Sequence, residues 1–573
     1  MDDLLPIELT KRRECEKGIF MKEISILIGG LTGDGINETG TVISRLFNRL
    51  GYYIYMYCDF PSLVKGGHNF AIIRGSDEKI ATHSDLVDVV LASNQAAIDL
   101  HKRRLKENTL IIFDENEVQV KGITQPTLGL PISQILKEEG GLPGMRHTCM
   151  IGGLCKAFGI EWSLCEELLI KHMPSMLEKN LKIARRGFDL AHQYNAMEKI
   201  ERSIMPVLSG SQAISLGLLQ AGLQAYVAYP MTPTSPILEF LAGLAPEFGL
   251  QVIPPESEIA VMTMALGYAY MGVKTAVGTS GGGFSLMVEG LGLAGQAELP
   301  VVVVMGQRSG PSTGMPTYTA QTDLLFVLHA SQGEFPRFIV APGDAEEACY
   351  WSGVALNKAW KYQIPAIILS DRILGLGLYS FDASLVEGLQ EEPPVIWNGQ
   401  GKYQRYKDAA DGVSPLAFPP QEGQAIKTNS YVHDEYGITS EEPVVAKGSA
   451  EKGLLKERIL AQELEDYETV KVYGQGDTAL LCWGSTKGVC VEIARKFDLQ
   501  VIQMLVMSPF PTKALSQAME GVRKIISVEE NATGQLAILL RQHGYHIDEQ
   551  ILKYDGRPFS LEELENDIKK VMA

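Results

Sequence analysis

Basic charge, closely spaced cysteines and long apolar runs are what this chain lacks. Lys and Arg number 51 against 69 Asp and Glu, a formal net charge of −18. Such an excess of acid argues against a nucleic-acid binder and against docking on an anionic membrane, though it leaves room for a local basic pocket. Eight cysteines are spread over 573 residues, and no two stand as C-x-x-C. Iron–sulfur and structural zinc sites need several thiolates at short fixed spacings, so no metal site is expected in this chain. The same sparseness excludes a disulfide scaffold and fits a reducing cytoplasm. No window holds about 18 uninterrupted apolar residues, so no membrane span is expected. The opening M-D-D-L-L-P-I-E-L-T-K-R-R-E has no apolar signal core.

What is present is ordinary globular material, 45% hydrophobic and 21% charged. At ~150 residues per domain the length suggests three or four domains. Residues 1–20 read as a solvated arm, and the first domain spans 21–197. It opens with the apolar run at 23–28, the glycine loop G-G-L-T-G-D-G-I-N-E-T-G (29–40) and an amphipathic helix ended by Gly51. Strand, glycine turn and helix begin a doubly wound α/β domain. Further strands are expected at 52–57, 70–74, 87–92 and 110–114. Gly30, Gly33 and Gly35 do not form G-x-G-x-x-G, so the loop is either an anion cradle at a helix N-terminus or a turn needed for topology. The turn Lys65-Gly66-Gly67-His68 either holds a phosphate or simply reverses the chain. The G-D-G at 33–35 resembles the start of a thiamine-diphosphate motif, but the asparagine pair that would complete it is absent, and Y-C-D-F-P-S-L stands there instead.

The second domain, 198–375, holds the densest chemistry. A strand at 225–229 meets A-Y-P-M-T-P-T-S-P, whose prolines 230, 233 and 236 fix φ and remove N–H donors. The loop is therefore rigid: a substrate-positioning wall, or a corner capped by Thr234 or Ser235. The strand L-Q-V-I-P-P (250–255) leads to Glu256 and Glu258 in the first turn of a helix that is apolar nearly all round and should be buried. A glutamate is favoured at a helix N-terminus, but one that leads a buried helix needs a specific partner. Strands at 275–279, 299–305 and 365–371 continue a parallel α/β pattern. Arg308 follows the second of these, where ligands sit in open α/β sheets, and its fork suits a carboxylate. Residues 376–469 read as an extended surface connection, and 470–573 as a last α/β domain.

Taken together, Y-P-M-T-P-T-S-P, P-P-E-S-E and G-Q-R-S-G-P-S-T-G-M-P-T resemble the alpha subunits of the 2-oxoacid:ferredoxin oxidoreductases. The resemblance implies three doubly wound α/β domains: a fused gamma-type domain, a pyrimidine-binding domain for thiamine diphosphate (TPP), and a transketolase C-terminal-like domain carrying V-E-E-N-A-T-G-Q-L-A. It implies that Glu258, the second residue of the S-E pair, hydrogen-bonds N1′ of TPP and favours the imino tautomer that activates the coenzyme. Thr232 would hydrogen-bond the 2-oxoacid, and Arg308 would clamp its carboxylate, or CoA in a later step. Met231 departs from the family's usual isoleucine at similar volume. Gly30, Gly33, Gly35 and Lys65 match the gamma domain's glycine loop and basic turn and are possible contacts for coenzyme A (CoA).

Mg²⁺, the diphosphate site and a [4Fe-4S] cluster would belong to a separate beta subunit in an (αβ)2 assembly, with ferredoxin as electron acceptor. The fused layout resembles enzymes that convert 2-oxoglutarate and CoA to succinyl-CoA and CO₂, or run the reverse. Pyruvate or a branched-chain 2-oxoacid is the alternative substrate. A non-redox TPP enzyme chain and a non-catalytic nucleotide-binding subunit are the rival classes.

Overall fold

The computed structural model describes residues 22–31, 33–61 and 67–572. Contacts divide the chain into two compact units, residues 1–207 and 208–573.

In the first unit six strands lie in the order Thr127–Leu130, Leu105–Asp114, Val87–Ala92, Glu23–Leu31, His68–Ser76, Tyr53–Asp59. Glu23–Leu31 is parallel to Val87–Ala92 but antiparallel to His68–Ser76, which is antiparallel to Tyr53–Asp59. The sheet is thus mixed. The helix Ile36–Arg49 buries Ile36, Val42, Ile43, Leu46 and Phe47, an amphipathic stripe at helical spacing.

The second unit is built on two sheets. The larger has the order Val506–Ser508, Phe338–Val340, Pro365–Asp371, Val301–Gln307, Thr275–Thr279, Ala225–Val227, Gln251–Ile253. Every neighbouring pair is parallel except the first. Val301–Gln307 is buried along its whole length, as a central parallel strand covered on both faces must be. All five strands from Pro365–Asp371 to Gln251–Ile253 therefore end on one edge, where their loops meet. The smaller sheet runs Val470–Tyr473, Gln500–Met504, Thr478–Trp483, Lys524–Glu529, Glu549–Leu552, with only the first strand antiparallel. A buried polar knot links the two sheets: Lys487 bonds Asp344 and Glu347, and Gln503 donates to Glu347 at 2.7 Å.

Two expectations change. Residues 376–469 contain a 21-residue helix, Pro443–Glu463. Lys452 and Lys456 on it hold Glu298 at 2.8 and 2.7 Å, so the connection is anchored to the body of the unit. The second concerns the helix after P-P-E-S, Glu258–Tyr270, which was expected to be buried all round. It buries Val261, Met262, Ala265, Leu266 and Ala269, while Ile259, Met264 and Met271 stand 57%, 43% and 48% exposed. The apolar pattern covers the whole circumference, but the described residues supply a neighbour for only one side.

Candidate active site

The common strand edge of the larger sheet collects Glu258, Thr232 and Arg308. The helix begins at Glu258, with Ser257 as N-cap, its hydroxyl accepting from Ala260 N at 3.4 Å. Glu256 precedes the helix and is exposed. Glu258 is 5% exposed, and its Oε1 is buried without a hydrogen-bond partner among the described residues. A buried carboxylate oxygen left bare costs free energy unless something bonds it. The atom lies against the start of the helix Gly281–Gln296. A Cβ on Gly283 would collide with it and with Thr279 Oγ1, so glycine is what admits the carboxyl there.

The proline loop leaves the neighbouring strand, Ala225–Val227. Thr234 N and Ser235 N both donate to Met231 O, closing the loop tightly. Arg308, half-buried at the end of Val301–Gln307, donates from Nη1 to Thr232 O at 2.8 Å. One side of the guanidinium is therefore fixed to the proline loop. Burial pulls its pKa below the ordinary arginine value, and Asp323 opposes that pull. So the structure brings Glu258, Thr232 and Arg308 to one edge. The bond from Arg308 reaches the backbone of Thr232, whose carbonyl and not its hydroxyl is engaged.

Asp323, in Q-T-D-L-L-F, was not singled out from the sequence. Its backbone N–H donates to Gln307 Oε1 at 3.1 Å, and its carboxyl lies against Gly281, where a Cβ would stand 2.9 Å from Oδ1. The carboxyl accepts no hydrogen bond from the described residues, and burial pushes its pKa up to about 6 against the lowering influence of Arg308. The one sequence signal is an acid directly before a short apolar helix, Leu324–His329, and that reads as an ordinary N-terminal charge.

In the first unit Gly33 and Gly35 take φ of 95° and 73°, and Gly35 starts the helix Ile36–Arg49. The loop is closed by its own aspartate: Asp34 Oδ2 accepts from Leu31 N at 2.8 Å and Ser93 Oγ at 3.3 Å. Gly30 lies against this carboxylate, while no described residue fills the side of Gly33. Lys65 lies outside the described residues. No group of three or more His, Cys, Asp or Glu able to hold a metal occurs among the described residues. No described helix is long and apolar enough to cross a membrane.

Residues 216–451 match the family model described as pyruvate flavodoxin/ferredoxin oxidoreductase, thiamine diphosphate-binding, and residues 25–190 match pyruvate ferredoxin/flavodoxin oxidoreductase. Fold and models define the class: an α/β oxidoreductase with a TPP-binding domain. The chain is 30% identical to the 2-oxoacid:ferredoxin oxidoreductase subunit alpha of Saccharolobus solfataricus, across 96% of this chain and 98% of that one. It is 26% identical to the 2-oxoglutarate oxidoreductase subunit KorA of Mycobacterium tuberculosis, across 96% and 92%. The solved 2-oxoglutarate:ferredoxin oxidoreductase from Magnetococcus marinus, with 2-oxoglutarate, coenzyme A and succinyl-CoA bound, superposes with a TM-score of 0.89 at 28% identity, covering 96% of this chain and all of that one. The chain belongs to the alpha subunits of the 2-oxoacid:ferredoxin oxidoreductases.

Proposed function

We propose that this chain, joined to a beta subunit, oxidatively decarboxylates 2-oxoglutarate in the presence of CoA to succinyl-CoA and CO₂, passing electrons singly to ferredoxin, or runs the reverse. The observation that carries the reading is Glu258: buried, with a bare Oε1, on the strand edge of a domain whose family model binds TPP. The choice of 2-oxoglutarate is supported by the ligands of the Magnetococcus enzyme and by the name of the Mycobacterium relative.

The residues fit the coenzyme. A ring nitrogen placed at Glu258 Oε1 gives that buried oxygen a partner, and Gly283 keeps the approach clear. Bound there, TPP supplies the nucleophilic carbon and the electron sink that decarboxylation of a 2-oxoacid requires. Glu258 holds the proton at the ring nitrogen and so biases its tautomer. Arg308 offers the N–H groups not committed to Thr232 O to the substrate carboxylate, and Thr232 lines the same wall. The open side of Gly33, with Gly30, Gly35 and Lys65, is the proposed contact for CoA.

The beta subunit would bring the diphosphate-binding Mg²⁺ and the [4Fe-4S] cluster. Its place is proposed on the uncharged face Ile259, Thr263, Met264, Gly267 and Met271, on the very helix that Glu258 begins. An exposed apolar stripe of this kind marks an interaction surface. Seven described cysteines, all free and buried, suit a cytoplasmic setting.

The test is reconstitution of the assembled enzyme and a dye-reduction panel of 2-oxoglutarate, pyruvate and branched-chain 2-oxoacids, each with and without CoA. CoA-dependent turnover led by 2-oxoglutarate is expected. Preference for pyruvate would overturn the substrate, and turnover without the iron–sulfur subunit would overturn the redox reading.

A further inference from the structure

Asp323 is held with unusual care for a residue whose side chain bonds nothing. Its backbone N–H is fixed by Gln307 Oε1. Gln535 brackets it, donating to Thr322 O at 2.7 Å and accepting from Leu325 N at 3.1 Å. Two residues earlier, Gln321 exchanges hydrogen bonds with the backbone of Glu530, and Thr319 N donates to Gly556 O. The segment 319–325 is thus bolted to the C-terminal domain, while the Asp323 carboxyl is left without a partner among the described residues. It points at the first residue of the helix Gly281–Gln296, two residues before the glycine that receives Glu258. One three-glycine helix start therefore borders both carboxyls. A free helix N-terminus and the arginine fork both favour an anion at this spot.

We propose that Asp323 captures the substrate carboxylate together with Arg308, binding it as the neutral acid and taking up a proton from solvent as the 2-oxoacid docks; the proposal rests on the 2-oxoacid reading above. An ionised Asp323 would compete with the substrate for Arg308 and repel the incoming carboxylate. Protonated, it donates its O–H to that carboxylate and leaves Arg308 its full charge. Burial already pushes this carboxyl toward the neutral form at near-neutral pH. The charge acting on it is that of Arg308, from the strand end. Gln307, Gln535 and Gly281, which approach from the strand, the C-terminal domain and the helix start, bring none. Glu258 faces the helix start from the other side, at Gly283, and His329 is at the far, exposed end of Asp323's own short helix.

The experiment uses the assembled enzyme and glutarate, which keeps both carboxylates and lacks the reacting carbonyl. Calorimetry at pH 7.5 in buffers of different ionisation enthalpy should show uptake of about one proton per glutarate bound in the wild type and in Glu258→Gln, and none in Asp323→Asn. In turnover, the wild-type KM for 2-oxoglutarate should be level below pH 6 and climb toward about tenfold per pH unit above pH 7, while Asp323→Asn gives a flat KM. A role in folding alone would move kcat and stability but not proton uptake. Absence of uptake in the wild type, or uptake lost in Glu258→Gln and kept in Asp323→Asn, overturns the proposal while leaving the enzyme's assignment intact. An assembled enzyme that turns over no 2-oxoacid overturns both.

Discussion

At the scale of single residues, two atoms tell most of the story: Glu258 Oε1, buried and bare, and the hydrogen on Gly283 that lets it stand there. Glu258→Gln keeps the volume and removes the acid. In the assembled enzyme it should lower kcat by about 100-fold or more, the lower end of what a positioned proton-transfer group contributes. Near-UV circular dichroism should be unchanged; wild-type turnover would end the assignment. Gly283→Ala should raise intrinsic helix propensity by up to about 1 kcal/mol, yet push the glutamate from its seat. A thermal scan should therefore show a Tm at or near that of the wild type alongside a collapsed rate, and a normal rate would mean the carboxyl has room to shift. That a carboxylate leading the apolar helix needs a partner was legible in the sequence. It applied equally to the exposed Glu256, and only the S-E pair of the family resemblance singled out Glu258. Asp323 was not legible, since its meaning comes from Gly281, Arg308 and Gln535, none of them near it in the chain.

Among the elements, the helix Glu258–Tyr270 is the informative one. Its apolar circumference was plain in the sequence and pointed to burial, but periodicity cannot say whose atoms do the burying. The described residues cover one side and leave Ile259, Met264 and Met271 exposed. Ile259→Glu should leave the Tm of the isolated chain within about 1 °C, because the residue is 57% exposed. It should weaken binding of the beta subunit by about tenfold or more, since an unpaired charge would be desolvated at the contact. Titration by calorimetry or analytical ultracentrifugation decides, and undiminished affinity would move the partner to another face. The helix Pro443–Glu463 shows the opposite failure of legibility. It buries only Lys456 and Leu460, so no apolar stripe announced it, and it is tethered through Lys452, Lys456 and Glu463 to Glu298 and Lys358, far away in sequence.

For the whole molecule, the parallel strands were legible as short apolar runs between glycine and proline punctuation. Thr275–Thr279 and Pro365–Asp371 stand where the runs lie. The antiparallel pairs of the first unit were not, because strand direction leaves no mark on composition. Nor was the knot of Lys487, Asp344, Glu347 and Gln503 between the two sheets of the second unit, whose members are scattered from 344 to 503. Lys487→Met should remove the cation buried between Asp344 and Glu347 and cost about 3–5 kcal/mol in chemical denaturation. A loss below about 1 kcal/mol would show that water reaches them.

The strand Val506–Ser508 edges the larger sheet, and Glu530, Gln535 and Gly556 brace the segment that carries Asp323. Asp323 is thus made by the ribosome some 200 residues or more before the last of its braces, Gly556, emerges. A polypeptide halted near residue 470 would carry Asp323 without the contacts that hold its segment in place.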